Sequence, residues 1–579
     1  MLAEPIFSRE ALILPSLLRH FLMRSGYVTA LFVLMYTAGQ AMFGWQQVRN
    51  IGDIAQFGNR VFQMFSLVQL SLVMFFALLF AAGRVAQEKD RQTLVLLLMT
   101  DMRNRELVLG KLFSSLLVVA VLLGASLPVF VFVYMLGGVG LDQIAWSLTI
   151  CFVTALAAGS WGSLVAFWRE KTFQTLAISV LGMFLFLGVL EAVITVAGGD
   201  SAIGRWAALL EPYRVLFQVL DPLGQSDLVG EAIHVSALPA TLALVLLSIG
   251  LNAVTIFRLR VWNPTRSTFD SAKAGDDEGV ATPTKAASRE IWRNPVVWRE
   301  IRTRAYGRKV FVVKLAYIAL AVFSMSLQSQ AGSQGELILG MISPDGFALI
   351  GLSLISLMLI NAQAVTAFTS ERDAKTLELL LVTDVTAKEF IYGKLGGILY
   401  NSKELILVPL GLAFYDVMLE TISWENFFFV AIGFLVLVGF TSMLGLHTGL
   451  SFDESRSSIA VSLGTMFFLF IGIFIFMILL VEARSSFKLQ FPSFIVFILF
   501  GSIGLWATLT HKIPSPALTL SALVLPFLTF YSITQFVRDK PLGACLAISA
   551  AYGFTTLGML IPAVSDFDVA LGRTSADRG

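Results

Sequence analysis

"EKDRQTLVLLLMTDMRNRELVLGKL" occupies residues 88–112, and "ERDAKTLELLLVTDVTAKEFIYGKL" occupies residues 371–395. The two stretches are one segment written twice. Glu, Asp, Thr-Leu, Leu-Leu-Leu, Thr-Asp, Glu and Gly-Lys-Leu recur at the same spacing, with Glu88 and Glu371 standing 283 positions apart. Each copy is charged, yet each lies between long apolar runs. A polar segment repeated in an apolar chain defines a repeat unit, and the architecture can be built outward from it.

The chain of 579 residues is 56% hydrophobic and only 14% charged, with a mean hydropathy of +0.80. A soluble domain carries about 25% charged residues, so this composition belongs in lipid. A net charge of +2 provides no basic surface for nucleic acid. Cys151 and Cys545 lie inside apolar runs and read as packed thiols, without disulfide or metal-ligand spacing. His20, His234, His447 and His511 are isolated from one another and from any metal or catalytic motif. No catalytic or metal-binding residue is expected.

A helix crosses the hydrocarbon core in about 20 apolar residues. Six candidate spans occupy 28–46, 61–83, 112–136, 144–168, 173–197 and 238–259. Eight more occupy 310–328, 345–369, 395–418, 427–450, 458–481, 493–510, 516–537 and 541–563. Arg84, Lys89, Arg103, Arg105, Arg169, Lys171, Arg258 and Arg260 fall on one side of this arrangement. That side is cytosolic by the positive-inside rule, which places the N-terminus and both copies of the charged segment in the cytosol. Arg538 and Lys540 fall on the other side. The expected location is the plasma membrane, the inner membrane of a bacterium, crossed many times.

Residues 1–27 read as an amphipathic surface helix, in which Leu12, Leu14, Leu17, Leu18, Phe21 and Leu22 alternate with Arg9, Arg19 and Arg24. No cleavable signal is apparent there. The first transmembrane half spans 28–260, followed by a small, polar, flexible linker at 261–290. A second surface helix, 291–309, repeats the first. Pro15, Arg19 and Arg24 precede Pro295, Arg299 and Arg304 by 280 positions. The second half then covers 310–510, and 511–579 forms an extra hairpin and tail. The expected fold is therefore all-α: a polytopic membrane protein of two tandem homologous six-helix halves, in parallel orientation, plus an extra C-terminal helical hairpin.

Within each copy, Leu94, Leu97 and Leu98, or Leu377, Leu380 and Leu381, fall on one face of a short helix. Glu88 and Asp90, or Glu371 and Asp373, precede it, and Thr100-Asp101 or Thr383-Asp384 ends it. A second helix opens at the Thr386-x-x-Glu389 capping box, or at a weaker cap on Asp101 or Asn104, and carries Gly110-Lys111 or Gly393-Lys394 to the membrane boundary. The result is a helix–turn–helix bracket. Positive-inside charge alone does not require these residues at fixed places twice, so the apolar face reads as a docking surface, part of which the neighbouring surface helix can cover.

Glu-Arg/Lys-Asp, Thr-Leu-x-Leu-Leu-Leu-x-Thr-Asp and Gly-Lys-Leu together resemble the signature segment of ABC type-2 transporter permeases, and "NPVVWREIRTR" is similar to their surface helix. The resemblance covers about 5–260 and 288–510, and two units fused in one chain depart from the usual pattern. It implies that the brackets act as ATPase-coupling helices. The residues concerned are Glu88, Asp90, Thr93, Leu94, Thr100 and Asp101 in one copy, and Glu371, Asp373, Thr376, Leu377, Thr383 and Asp384 in the other. The chain lacks a phosphate-binding Gly-x-x-x-x-Gly-Lys-Ser/Thr loop. ATP and Mg are accordingly expected in separate cytosolic ABC ATPase subunits, two copies for two brackets, with no cofactor in this chain. The brackets differ in charge: five basic and four acidic residues against four and five. Docking is therefore expected to be asymmetric.

Other readings rest on other residues. An ion-coupled transporter would use Lys403 and Glu404, ionisable groups inside a span. Asn361 and Gln363 would line a pathway between the halves, or else bond helix to helix. A non-transporting, ATPase-linked anchor or mechanotransducer would need the same brackets. Lipids, drugs, ions and peptides all remain open as the transported substrate, and membrane lipid is the surrounding partner.

Overall fold

The computed structural model describes residues 6–13, 18–44, 50–197, 201–220, 236–263, 294–302, 310–331, 343–377, 385–483, 487–512, 514–565 and 567. Twenty helices and no strand occur among them. The first half comprises α1 (Ile6–Ile13), α2 (Leu18–Phe43), α3 (Ile51–Asp90), α4 (Thr93–Leu98), α5 (Asn104–Leu136), α6 (Leu141–Trp168), α7 (Thr172–Ala197), α8 (Ala202–Leu210), α9 (Pro212–Leu220) and α10 (Ala237–Trp262). The second comprises α11 (Pro295–Arg302), α12 (Val310–Ala331), α13 (Pro344–Asp373), α14 (Ala387–Asn401), α15 (Lys403–Met418), α16 (Trp424–Ser451), α17 (Ser455–Ala483), α18 (Phe487–Leu509), α19 (Pro516–Val537) and α20 (Pro541–Ser565).

Twelve of the described helices are long and apolar enough to cross a bilayer, namely α2, α3, α5, α6, α7, α10, α13 and α16 to α20. The chain is an all-α, multi-pass membrane protein. The expected span at 310–328 has a shorter apolar stretch, Val313–Met325, within α12. The expected span at 395–418 is divided, because Ser402 is buried and donates to Gln363 Oε1 at 2.7 Å where the helix breaks. Its counterpart α5 has Val118-Val119 at that place and runs unbroken.

The N-terminal surface helix is shorter than 1–27, since Leu18–Phe43 is a single helix and only α1 stands apart from it. Beyond Pro15 nothing in the sequence interrupts helix propagation. Likewise, the second surface helix is confined to α11 among the described residues. Positions 264–293, most of the linker, and 378–384, part of the second bracket, lie outside the described residues.

One packing device appears in both halves. A Cβ on Gly162 of α6 would meet the Leu78 carbonyl oxygen at 2.6 Å, and one on Gly445 of α16 would meet Ala364 Cβ at 2.5 Å. Gly162 and Gly445 are equivalent positions of the repeat. Only glycine lets the second and fourth spans of each half approach so closely, the small-residue packing that drives helix association in lipid.

The final hairpin, α19–α20, is present, and its members have different roles. α20 packs along α16, with Phe440 and Tyr552 rings 4.9 Å apart, and Phe567 beyond it meets Phe390 of α14 at 5.2 Å. In the first half α10 holds that place against α6 and α5. The added pair is therefore α18–α19, and α18 reaches across to α2 of the first half, where Ser493 donates to the Gln40 carbonyl. Elsewhere the halves meet through stacked rings of Phe75 and Phe467, 4.5 Å apart.

Candidate functional site

Both brackets lie on the same face and are built alike. α3 ends at Asp90 and α13 at Asp373, and each is followed by a non-glycine residue in the left-handed region: Gln92 at φ +59° and Lys375 at φ +56°. These are equivalent positions in the repeat, and such a backbone costs on the order of 1 kcal/mol unless its surroundings impose it. The following threonine closes the turn. Thr93 Oγ1 donates to the Glu88 carbonyl and Thr376 Oγ1 to that of Glu371, both at 3.2 Å. This turn explains why Thr stands at the same place twice.

The cation after each glutamate ties the bracket to the fourth span. Lys89 Nζ donates to the carbonyls of Phe167 (2.5 Å) and Arg169 (2.9 Å) at the end of α6. Arg372 donates to Gly449 (3.1 Å) and Phe452 (2.5 Å) at the end of α16. Both satisfy carbonyls that a helix C-terminus leaves open, where positive charge is also favoured by the helix dipole. Beside Phe452, a hydrogen bond from Lys512 holds the Asp453 carboxyl below its usual range.

Glu88 pairs with Lys111, and Glu371 pairs with the equivalent Lys394 at 2.7 Å. The "boundary" lysines thus bind the end of the second span to the start of the third. In the second half the network is larger. Lys394, 1% exposed, also donates to Glu300 of α11 at 2.6 Å and to the Ala367 carbonyl at 3.1 Å, while Arg299 pairs with Glu371. In the first half Arg84 instead donates to Ser114 Oγ at 2.6 Å. Sequence reasoning missed Arg84, Arg299 and Glu300. Glu300, an acid within an otherwise basic stretch, was the available signal.

The apolar face of the first bracket is turned inward. Leu94 and Leu98 are buried with Leu107, Val108, Phe167 and Leu259, so α10 covers the face expected to be open for docking. Leu377 is buried as well. Asn104 does not cap α5 by its side chain; it donates to the Ile256 carbonyl and accepts from Arg260, both on α10. Glu106 accepts from Arg103 N instead, as Glu389 accepts from Thr386 N. Outward-facing residues are Thr93, Leu96, Met99, Thr100 and Asp101, with Leu96 and Met99 each 64% exposed. Asp90 accepts from Thr172, and Asp373 from Arg91 of the other half. Leu380, Leu381, Thr383 and Asp384 lie outside the described residues.

Between the brackets is a cavity of about 540 Å³ bordered by Lys89, Asp90 and Lys171 of the first half and Glu300, Glu371 and Lys394 of the second. Asn361 and Gln363 do not reach it. Both are buried inside the second half, where Asn361 bonds the Thr441 carbonyl (3.0 Å) and Ser462 (2.8 Å), and Gln363 bonds Ser402. They join helix to helix. Lys403 is exposed and lies over the Tyr400 ring, while Glu404 pairs with Lys314 of α12 at 2.7 Å. The adjacent charges point apart and form no shared site.

A polytopic bundle with a bracket repeated on one face is compatible with a membrane permease built from two homologous units. Residues 21–261 match the model of the ABC-2 family transporter protein, and this first half belongs to that family. No curated protein and no solved structure matches the chain.

Proposed function

We propose that the chain is the permease of an ATP-driven exporter, with both halves of one transport unit fused. Family membership of the first half implies a partner ATPase in general. The supporting observation is the shared bracket: the left-handed residue, the threonine turn and the lysine–glutamate pair recur in both halves on one face. Each bracket is tied by ion pairs and helix-end bonds to three spans. A push on its outer surface would therefore pass into the membrane rather than be absorbed by a loose loop. In this reading the bracket face is cytosolic, the outward residues Thr93, Leu96, Met99, Thr100 and Asp101 meet the ATPase, and the inward residues Glu88, Asp90 and Leu94 transmit its motion. Two ATPase subunits dock, one on each bracket, and ATP with Mg is bound by them. Substrate passes between the halves, where the charged cavity and the Phe75–Phe467 stack lie in series.

The test is purification of the tagged full-length protein from its native membrane in mild detergent, with identification of co-eluting soluble chains. A nucleotide-binding ATPase is expected with the native protein and lost with Leu96→Asp/Met99→Asp. Retention of every soluble partner by that variant, or absence of any ATPase, would overturn the reading.

A further inference from the structure

The two surface helices meet their third spans through different residues, and a groove lies beside the one in the first half. In the second half α11 is seated directly on α14. A Cβ on Gly393 would meet Val296 Cβ at 2.7 Å, and one on Gly397 would meet Glu300 Cβ at 2.5 Å. Asn401 adds a bond to the Glu300 carbonyl at 3.3 Å, and the next turn is closed by the Glu404–Lys314 pair.

The first half has Phe113 and Ser114 in place of Gly396 and Gly397, Val118 in place of Asn401, and Val121 in place of Glu404. The Phe113 ring meets Phe7 of α1 edge-on at 6.4 Å, so a side chain rather than a glycine stands at this contact. A groove of about 80 Å³ remains between α1, α2 and α5. Its wall on α5 is aliphatic, with Leu117, Val118, Val121 and Leu122, and its rim on α2 carries His20 and Arg24. Arg24 lies in the first turns of the span His20–Phe43, the depth at which lipid headgroups stand. Arg24 Nε donates to the His20 carbonyl at 3.3 Å, which holds the guanidinium at the rim. The side chains of Leu18, Phe21 and Leu22 beside it are exposed.

We infer that this groove binds one anionic phospholipid, its phosphate on Arg24 and the start of one acyl chain along Val121 and Leu122. A cation above an aliphatic wall matches a headgroup phosphate above a hydrocarbon chain, and basic pockets between spans recognise anionic lipid by this complementarity. The lipid stands, in the first half, against Val118 and Val121, whose counterparts Asn401 and Glu404 in the second half bond to the Glu300 carbonyl and to Lys314. The inference does not depend on the ATPase.

The experiment uses the full-length protein purified in mild detergent, supplied with phosphatidylglycerol, phosphatidylcholine or inorganic phosphate, washed, and weighed intact by native mass spectrometry. One phosphatidylglycerol is expected to stay bound to the native protein in preference to phosphatidylcholine. Arg24→Gln should weaken its retention about tenfold, the factor contributed by a hydrogen bond to a charged group, and Arg24→Lys should restore part of it. Val121→Trp, which fills the groove from a partly lipid-exposed position on α5, should lower retention of either phospholipid and serves if Arg24→Gln does not fold. Equal retention of both phospholipids, displacement by inorganic phosphate, or unchanged retention in Val121→Trp would each overturn the proposal.

Discussion

Arg91 Nε stands 3.3 Å from Asp373 Oδ1 and joins the two halves across the bracket face. The bond is made once. Ala374 occupies Arg91's place in the repeat, and Asp90, the counterpart of Asp373, accepts from Thr172 instead. The pair is lopsided in exposure, with Arg91 47% and Asp373 6% exposed. Separation of the halves on this face has to break it, so its strength should be small. A double-mutant cycle of Arg91→Ala and Asp373→Ala, read by thermal unfolding, is expected to give a coupling of no more than about 1 kcal/mol, as for other partly exposed pairs. A coupling several times larger would mark the bond as a structural weld rather than a contact that can open.

The two boundary lysines should differ sharply. Lys394→Met leaves the buried Glu300 and the partly buried Glu371 with only the partly exposed Arg299 as cation, and such a loss costs about 3 kcal/mol. Lys111 and Glu88 keep some contact with solvent, at 12% and 24% exposure, and only one acid is stranded. Lys111→Met should cost about half as much on the same physical ground. Unfolding midpoints of the two variants in one detergent decide the order, and equal losses would count against the larger network.

On the opposite face, burial and the nearby Glu191 push the Glu211 carboxyl up to about 7, against the opposing effect of Arg214. Because its ordinary value is 4.5, the folded protein holds this proton more tightly than the unfolded chain does. Its contribution to stability is therefore fully present below pH 4.5 and is lost as pH rises to about 7. The loss is at most about 3 kcal/mol. Glu211→Gln should flatten that part of the stability profile and be the more stable form at pH 8. An unchanged slope in the variant would remove Glu211 as its cause.

Neighbouring leucines of α4 should separate folding from docking. Leu94 is 3% exposed, so Leu94→Ala should destabilise the protein by about 2–4 kcal/mol through the cavity it leaves. Leu96 is 64% exposed, and Leu96→Asp should leave stability within about 0.5 kcal/mol. Its effect should appear instead as an ATPase affinity lowered about tenfold or more, the weight of one central apolar anchor. Co-purification yield and thermal unfolding, measured on both variants, check the two halves of this expectation.

Much of the architecture was determined by sequence alone, because hydropathy and local chemistry act over short distances. Runs such as 144–168 and 427–450 become spans wherever lipid surrounds them, and the Thr386–Glu389 capping box starts α14 without help from the rest of the chain. The repeat marked Thr93 and Thr376, and the boundary lysines Lys111 and Lys394, as equivalent positions, while the left-handed turns at Gln92 and Lys375 and the lysine–glutamate pairs came from the structure. Tertiary structure decided which face of each bracket is free. Leu94 and Leu96 are equally apolar, and only the arrival of α10, some 160 residues later, buries one and leaves the other outside. The same holds for Glu300, whose cation Lys394 is 94 residues away, and for α20, which takes the place expected of an earlier span. Periodicity reports that a helix has an apolar face; which distant element covers that face depends on how the whole bundle closes.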